Sequence, residues 1–173
     1  PYRKGTRLFN FHSWRPYYED PVFTFSLYGE NVLNTVQTEL YYLYNENEKT
    51  SAIGFSGIYG AGFPYLSAGT ELTFNREVPI GNRIRQWNQL DSRIGLTLPI
   101  SQTSGTTFKN FSMSSFYVLR NEFNKDFYKD SLGNTSFSYL SHAVSWSEQI
   151  QRAVQHIYPR FANSAAASYR HAI

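Results

Sequence analysis

The sequence contains no cysteine, a single methionine and little charge, since charged residues make up 17% of its 173 positions. Without cysteine the chain has no disulfide scaffold, no thiolate metal site and no cysteine nucleophile. Its 16 basic and 13 acidic residues give a net charge of +3, and the basic residues are scattered along the chain. Because nucleic-acid-binding domains cluster their basic residues, we expect no nucleic-acid partner.

A helical membrane span is also missing. Residues 50–70 carry no charge and reach the length of about 20 residues that a spanning helix needs. Six helix-breaking residues interrupt this run: Gly54, Gly57, Gly60, Gly62, Gly69 and Pro64. A helix is therefore excluded here. In a strand, such glycines leave room for a large side chain on the neighbouring strand or let the sheet bend.

The sequence is rich in aromatic residues and alternates between apolar and polar residues with a period of two. Leu90, Ile94 and Leu96, for example, alternate with Asp91 and Arg93. This period is typical of β-strands that bury one face. It predicts strands at residues 22–30, 34–45, 51–60, 64–75, 89–99, 108–119, 136–147 and 161–172, with a short additional strand at 6–12 as an option.

Turn-forming residues separate these strands, which predicts an antiparallel meander. We expect a short link at residues 45–50, long polar links at 75–89 and 120–135, and a link at 148–160 with room for a short helix. In a meander, alternate links lie at the same end. If the sheet is a membrane barrel, the links at 45–50, 75–89 and 120–135 lie at the exterior end, because long loops of such barrels face outwards. The links at 29–34, 60–63, 100–107 and 147–160 then lie at the periplasmic end.

The alternation has two interpretations, because an apolar face can point into a soluble core or outwards to lipid. Strands of about ten residues and a polar set that mixes Ser, Thr and Gly with charges of both signs favour a membrane barrel. The lumen-lining candidates are Glu39, Glu71, Asp91 and Arg93. The lipid-facing candidates are Leu40, Leu72, Ile94 and Leu96. The alternative is a soluble β-sandwich whose aromatic residues bind carbohydrate.

Short motifs near both ends of the chain resemble those of a known family. Residues 8–14 read LFNFHSW, residues 29–35 read GENVLNT, and residues 158–161 and 169–171 read YPRF and YRH. They resemble a family of outer-membrane β-barrel proteins that is loosely related to the bacterial surface antigen family. In many members the barrel follows a Tol-associated periplasmic β-propeller. The resemblance implies a β-barrel in the outer membrane and no catalytic residues.

No motif in the sequence predicts catalysis or a cofactor. The four histidines do not have the spacing of metal ligands, so we expect no metal site. Ser141 beside His142, and separately the serine-rich strand at residues 112–115, suggest an outer-membrane lipid hydrolase as a second alternative. Trp14, Trp87 and Trp146 are interpreted as membrane-interface anchors, with sugar stacking as the alternative.

The sequence therefore predicts an all-β fold: an antiparallel, up-and-down transmembrane β-barrel in the bacterial outer membrane. We expect residues 1–173 to form one domain, a partial barrel of about eight strands that is incomplete at both ends. The expected function is transport, export or assembly across the outer membrane, or anchoring of a periplasmic domain. The expected partners are outer-membrane lipid and a periplasmic domain of the same chain.

Overall fold

The computed structural model describes residues 10–150 and 161–173, which form nine strands and one short helix. Each strand is antiparallel to the next, and the strand order in the single sheet is the order in the chain. The elements are β1 (Phe11–Glu19), β2 (Val22–Glu30), β3 (Val36–Asn45), β4 (Thr50–Tyr59), β5 (Tyr65–Ile80), β6 (Arg83–Ser104), β7 (Thr107–Asn124), α1 (Asp126–Leu132), β8 (Thr135–Ile150) and β9 (Phe161–Ala172). The prediction of an all-β, up-and-down antiparallel fold is confirmed.

Two of the predicted connections are wrong, because β5, β6 and β7 are longer than their alternation indicates. Residues 75–89 were expected to form a loop, but β5 and β6 continue through them to a two-residue turn at Gly81 and Asn82. The link expected at 100–107 is likewise shorter, because β6 runs to Ser104 and β7 begins at Thr107, which leaves a second two-residue turn at Gly105. Both glycines have positive φ values, near 60°, which is the conformation that two-residue hairpin turns require.

Further corrections concern two predicted links and the optional first strand. Of the link expected at residues 120–135, β7 takes the first part, up to Asn124, and α1 follows, with the Gly133 N–H donating to the carbonyl of Lys129 at its end. The optional strand at 6–12 overlaps β1 only at residues 11 and 12, residues 6–9 lie outside the described residues, and the part of β1 from 13 to 19 was not predicted. β8 extends to Ile150 and so includes the first residues of the link expected at 148–160, whose remaining residues lie outside the described part of the chain.

The pairing register divides the sheet into two faces of opposite chemistry. Residues that pair directly across antiparallel strands share a face. Glu71 pairs with Asp91, which pairs with Arg120, whereas Leu72 pairs with Leu90 on the other face. We call the face that carries Glu71 the polar face and the face that carries Leu72 the apolar face.

Neither face builds a hydrophobic core within the described residues. Ala52 is the one buried residue there with an apolar side chain, and the other buried residues are two glycines and five polar residues: Gly29, Gly54, Ser26, Thr38, Thr50, Gln89 and Asn124. These residues contribute one sheet, whereas a sandwich needs two. No helix in this part of the chain is long and apolar enough to cross a membrane.

The sheet curves around its polar face. Tyr41 on β3 and Arg170 on β9 line the same cavity, although β3 and β9 are six positions apart in the strand order. Six strand spacings in a flat sheet measure about 29 Å. Among the described strands pairing links consecutive strands only, and β1 is not paired with β9.

Candidate functional site

A cavity of about 350 Å³ lies on the polar face and brings together side chains from β3 to β9. Its charged lining residues are Glu71, Asp91, Arg93, Arg120 and Arg170. Tyrosine and serine hydroxyls and a small apolar surface also line it: Tyr41, Tyr139, Ser141, Phe116 and Val118. We treat this cavity as the candidate functional site.

On one side of the cavity a tyrosine reaches across a neighbouring strand to a carboxylate. The Tyr41 hydroxyl donates to Oε2 of Glu71 at 2.5 Å, although β4 lies between their two strands. Gly54, which pairs with Tyr41, makes this reach possible, because a Cβ at Gly54 would lie 2.2 Å from the tyrosine ring. Thr73 donates to the other Glu71 oxygen at 3.3 Å. The carboxylate is therefore held by donors from two strands.

The centre of the cavity wall is an arginine–aspartate pair with two hydrogen bonds. Nε of Arg120 donates to Oδ1 of Asp91 at 2.6 Å, and Nη2 donates to Oδ2 at 2.8 Å. The buried Gln89 donates to the same carboxylate at 2.8 Å and accepts from Arg76 at 3.2 Å. Bidentate arginine–carboxylate pairs are among the strongest hydrogen-bonded contacts in proteins. The Arg120–Asp91 pair joins β7 to β6, and the Arg76–Gln89 hydrogen bond joins β5 to β6. These bonds fix the three strands relative to one another on this face.

The polar network continues towards α1 through a second ion pair. Arg85 donates to Glu122 at 2.7 Å and to the buried Asn124 at 2.8 Å. The Arg85 guanidinium also lies 4.8 Å from the centre of the Trp87 ring. Trp87 therefore lies in β6 on the polar face and not in a loop. It does not share a face with the lipid-facing candidates, and the anchor interpretation does not fit it.

Three glycines of the polar face are each covered by a large side chain from a directly paired position. Besides Tyr41 over Gly54, the Arg93 side chain lies over Gly69 and the Phe116 ring over Gly95. A Cβ at Gly95 would lie 2.5 Å from the Phe116 ring. These glycines give the side chains above them room to lie flat on the sheet.

The structure unites three of the four lumen-lining candidates. Glu71, Asp91 and Arg93 line the cavity, whereas Glu39 lies on the same face outside the lining. Sequence reasoning missed Arg120 and Arg170. Arg120 was assigned to a loop because β7 was predicted to end at residue 119. The pairing of Arg120 with Asp91 is a matter of register, which the period of the sequence does not determine.

All four lipid-facing candidates lie on the apolar face. Ile94 is 52% exposed, Leu96 45% and Leu40 36%, while Leu72 is half-buried. Their contacts come from neighbours in the same sheet, and no second layer of described residues covers them. That this face contacts lipid stays a prediction.

The alternative of a hydrolase receives no support from the geometry. Ser141 lines the cavity on the polar face, while its neighbour His142 lies on the apolar face, where it stacks 5.6 Å from His171. Ser115 pairs with His142 in register, but no hydrogen bond joins their side chains. Within residues 10–150 and 161–173 no group of three or more His, Asp or Glu residues has the geometry of a metal site.

Comparison of the chain with protein-family models, with curated proteins and with solved structures finds no match.

Proposed function

We propose that this chain forms nine consecutive strands of an outer-membrane β-barrel, with the apolar face against lipid and the polar face lining the lumen. The observation that carries the proposal is the uncovered apolar face. Nine strands spaced by about 4.8 Å, with an apolar band about 25 Å high, present roughly 1,100 Å². The largest apolar patch of an ordinary soluble monomer is about 300–600 Å². A surface of this size requires an apolar environment.

The height of the apolar band supports lipid as that environment. On β6 the apolar face has no charge from Leu90 to Ile100, and it becomes polar beyond both ends, at Asn88 and Gln102. These ten residue steps measure about 33 Å along the strand, at about 3.3 Å per step. Tilted by about 35–45°, as strands are in membrane barrels, they span about 25 Å.

Aromatic residues lie at the borders of this band. At one border the register aligns Tyr18, Phe23 and Tyr44, and Phe74 follows on β5. At the other border Phe111 pairs with Trp146. Aromatic side chains concentrate where hydrocarbon meets the headgroups.

Charges on the apolar face lie at its edges. The next pair of this face beyond Phe111 and Trp146 is Lys109 and Glu148, which form an ion pair of 3.2 Å. This sequence of apolar, aromatic and charged side chains follows the polarity of a membrane from its centre to its surface.

The opposite face supports a role in the passage of polar material. Several of its side chains, among them Tyr41 with Glu71 and Arg120 with Asp91, are hydrogen-bonded in pairs along the wall, and the face leaves a cavity at the centre of the sheet. A barrel built from such strands has a polar lumen with a firm wall. Transport or export across the outer membrane uses both properties. Anchoring of a periplasmic domain uses the outer surface alone, and no feature of the cavity favours it.

We place the turn at residues 46–49, the hairpin at Gly81 and the α1 segment at the exterior end. The meander brings these three links to one end of the sheet. The segment between β7 and β8 has ten residues and contains α1, and the link from β8 to β9 at the other end has the same length, so the choice of end follows the sequence prediction and not loop length. Protease that reaches residues 125–134 on intact cells supports this orientation, and cleavage there only in opened cells reverses it.

Cell fractionation tests the proposed function directly. The full-length protein should sediment with the outer membrane, remain there after washing at high pH and salt, and need detergent for release. Each wash removes proteins held by charge alone, whereas an apolar face in lipid resists both. Recovery of the folded protein from the soluble fraction without detergent would contradict the proposal.

A further inference from the structure

We infer that the cavity on the polar face binds a small oxyanion, such as a free solute that carries a phosphate or carboxylate group. This inference rests on the proposed function, because it assigns a class of solute to the lumen. Three arginines and two carboxylates line the cavity, so its lining carries one net positive charge. The arrangement of these charges matters more than their sum.

Both carboxylates of the cavity are already occupied by donors of the wall. Glu71 accepts from Tyr41 and Thr73. Asp91 accepts two hydrogen bonds from Arg120 and one from Gln89. The charge of Asp91 is therefore balanced by Arg120, while the two oxygens of Glu71 are engaged by neutral hydroxyl donors, so neither carboxylate is a free acceptor for a cation.

Two arginines of the cavity have no such compensation. Within residues 10–150 and 161–173 the guanidinium groups of Arg93 and Arg170 make neither a hydrogen bond nor an ion pair, and both residues are exposed. An arginine stays charged at any physiological pH, and its planar fork matches the oxygens of phosphate and carboxylate. The guanidinium groups of Arg93 and Arg170, which line the same cavity without partners among the described residues, therefore form a site for an oxyanion.

The wall between the two arginines adds hydroxyl donors and an apolar floor. Tyr139 and Ser141 lie on β8, between the strands of Arg93 and Arg170, and Ser141 pairs directly with Arg170. Phe116 and Val118 line the same cavity on β7. Apolar groups beside a charge lower the local dielectric constant and strengthen its attraction for an anion.

The size of the cavity limits the solute. A water molecule occupies about 30 Å³ of liquid, so about 350 Å³ holds roughly ten waters or one small anion with part of its hydration shell. The cavity faces away from the apolar face. The anion is therefore a solute of the lumen and not the headgroup of a surrounding lipid.

Calorimetric titration of the full-length protein in neutral detergent with inorganic phosphate tests the inference. We expect saturable binding that weakens as sodium chloride is raised. The double variant Arg93→Gln/Arg170→Gln should bind phosphate at least about tenfold more weakly. The matched control is Arg15→Gln, which removes an arginine of the polar face on β1 outside the cavity and should leave the affinity unchanged.

A second variant separates loss of charge from loss of fold. Arg93→Lys/Arg170→Lys keeps both charges and should retain more affinity for phosphate than the glutamine variant. Absence of saturable phosphate binding by the wild type overturns the inference, as does equal affinity in the wild type and the glutamine variant. Fractionation judges the proposed function separately: a protein in the outer membrane that does not bind phosphate refutes the anion site alone.

Discussion

Asp91 and Ile94 lie three residues apart on β6, on opposite faces of the sheet. Asp91 has three hydrogen bonds from side chains of its own and the next strand. Ile94 is half exposed and has no second layer over it among the described residues. Both residues belong to the same strand, so the difference between them lies in the environment that each face of the sheet contacts. The polar face gives Asp91 its partner Arg120 within the sheet, whereas the apolar face depends on an environment outside the described residues.

The largest expected effect comes from placing a charge on the apolar face. Leu96→Arg should lower the free energy of unfolding from lipid vesicles by about 2–4 kcal/mol, because a charge near the membrane midplane loses its hydration. The matched control, Thr97→Arg, adds the same side chain one residue later on the polar face and should cost under about 1 kcal/mol. Equal losses in chemical unfolding experiments would contradict the assignment of the two faces.

Breaking the central ion pair of the polar face should have the next largest effect. Asp91→Ala removes charge-assisted hydrogen bonds and leaves Arg120 without its partner, which should cost about 1.5–3 kcal/mol of unfolding free energy. Glu148→Ala, which breaks the more exposed pair with Lys109, should cost at most about 1 kcal/mol. A double-mutant cycle with Arg120→Ala measures the coupling, and a value near zero would show that the pair does not stabilise the wall.

The glycine beneath Tyr41 gives a smaller expected effect. Gly54→Ala places a methyl group against the tyrosine ring, so Tyr41 must move and its bond to Glu71 weakens, at a cost of about 1–3 kcal/mol. Gly57→Ala is the matched control on the same strand, since its nearest neighbour is 3.7 Å away, and it should be nearly neutral. The comparison is sharpened in a Tyr41→Ala background, where the cost of Gly54→Ala should largely disappear.

Sequence reasoning recovered the strands and their order because the period of two is a local property. All eight main predicted strands have counterparts, and the candidates assigned to each face share that face. The ends of β5, β6 and β7 could not be predicted, because residues such as Asn75, Arg85 and Arg120 are typical of both loops and polar strand faces. In the structure the side chains of Arg85 and Arg120 are held by partners on the neighbouring strand, and the Asn75 side chain accepts from Lys125, just after β7. Such pairing is a long-range property.

The candidate site was predictable in part for the same reason. Glu71, Asp91 and Arg93 follow from alternation alone, because each lies at a polar position of a clear strand. Arg170 enters the cavity only because the sheet curves and brings β9 towards β3. Neither the curvature of the sheet nor the pairing register can be predicted from the pattern of a single strand. The sequence therefore did not indicate that Arg93 and Arg170 line the same cavity.

The most direct test of the two-faced wall uses single cysteines, which the natural chain lacks. A fluorophore attached to each position from 90 to 100 of β6, in protein reconstituted into vesicles with brominated lipids, reports contact with hydrocarbon. We predict quenching with a period of two: strong at positions 94, 96 and 98 and weak at 93, 95 and 97. Fluorescence that no lipid quenches at any of these positions would contradict the account, because the apolar face would then be covered by protein.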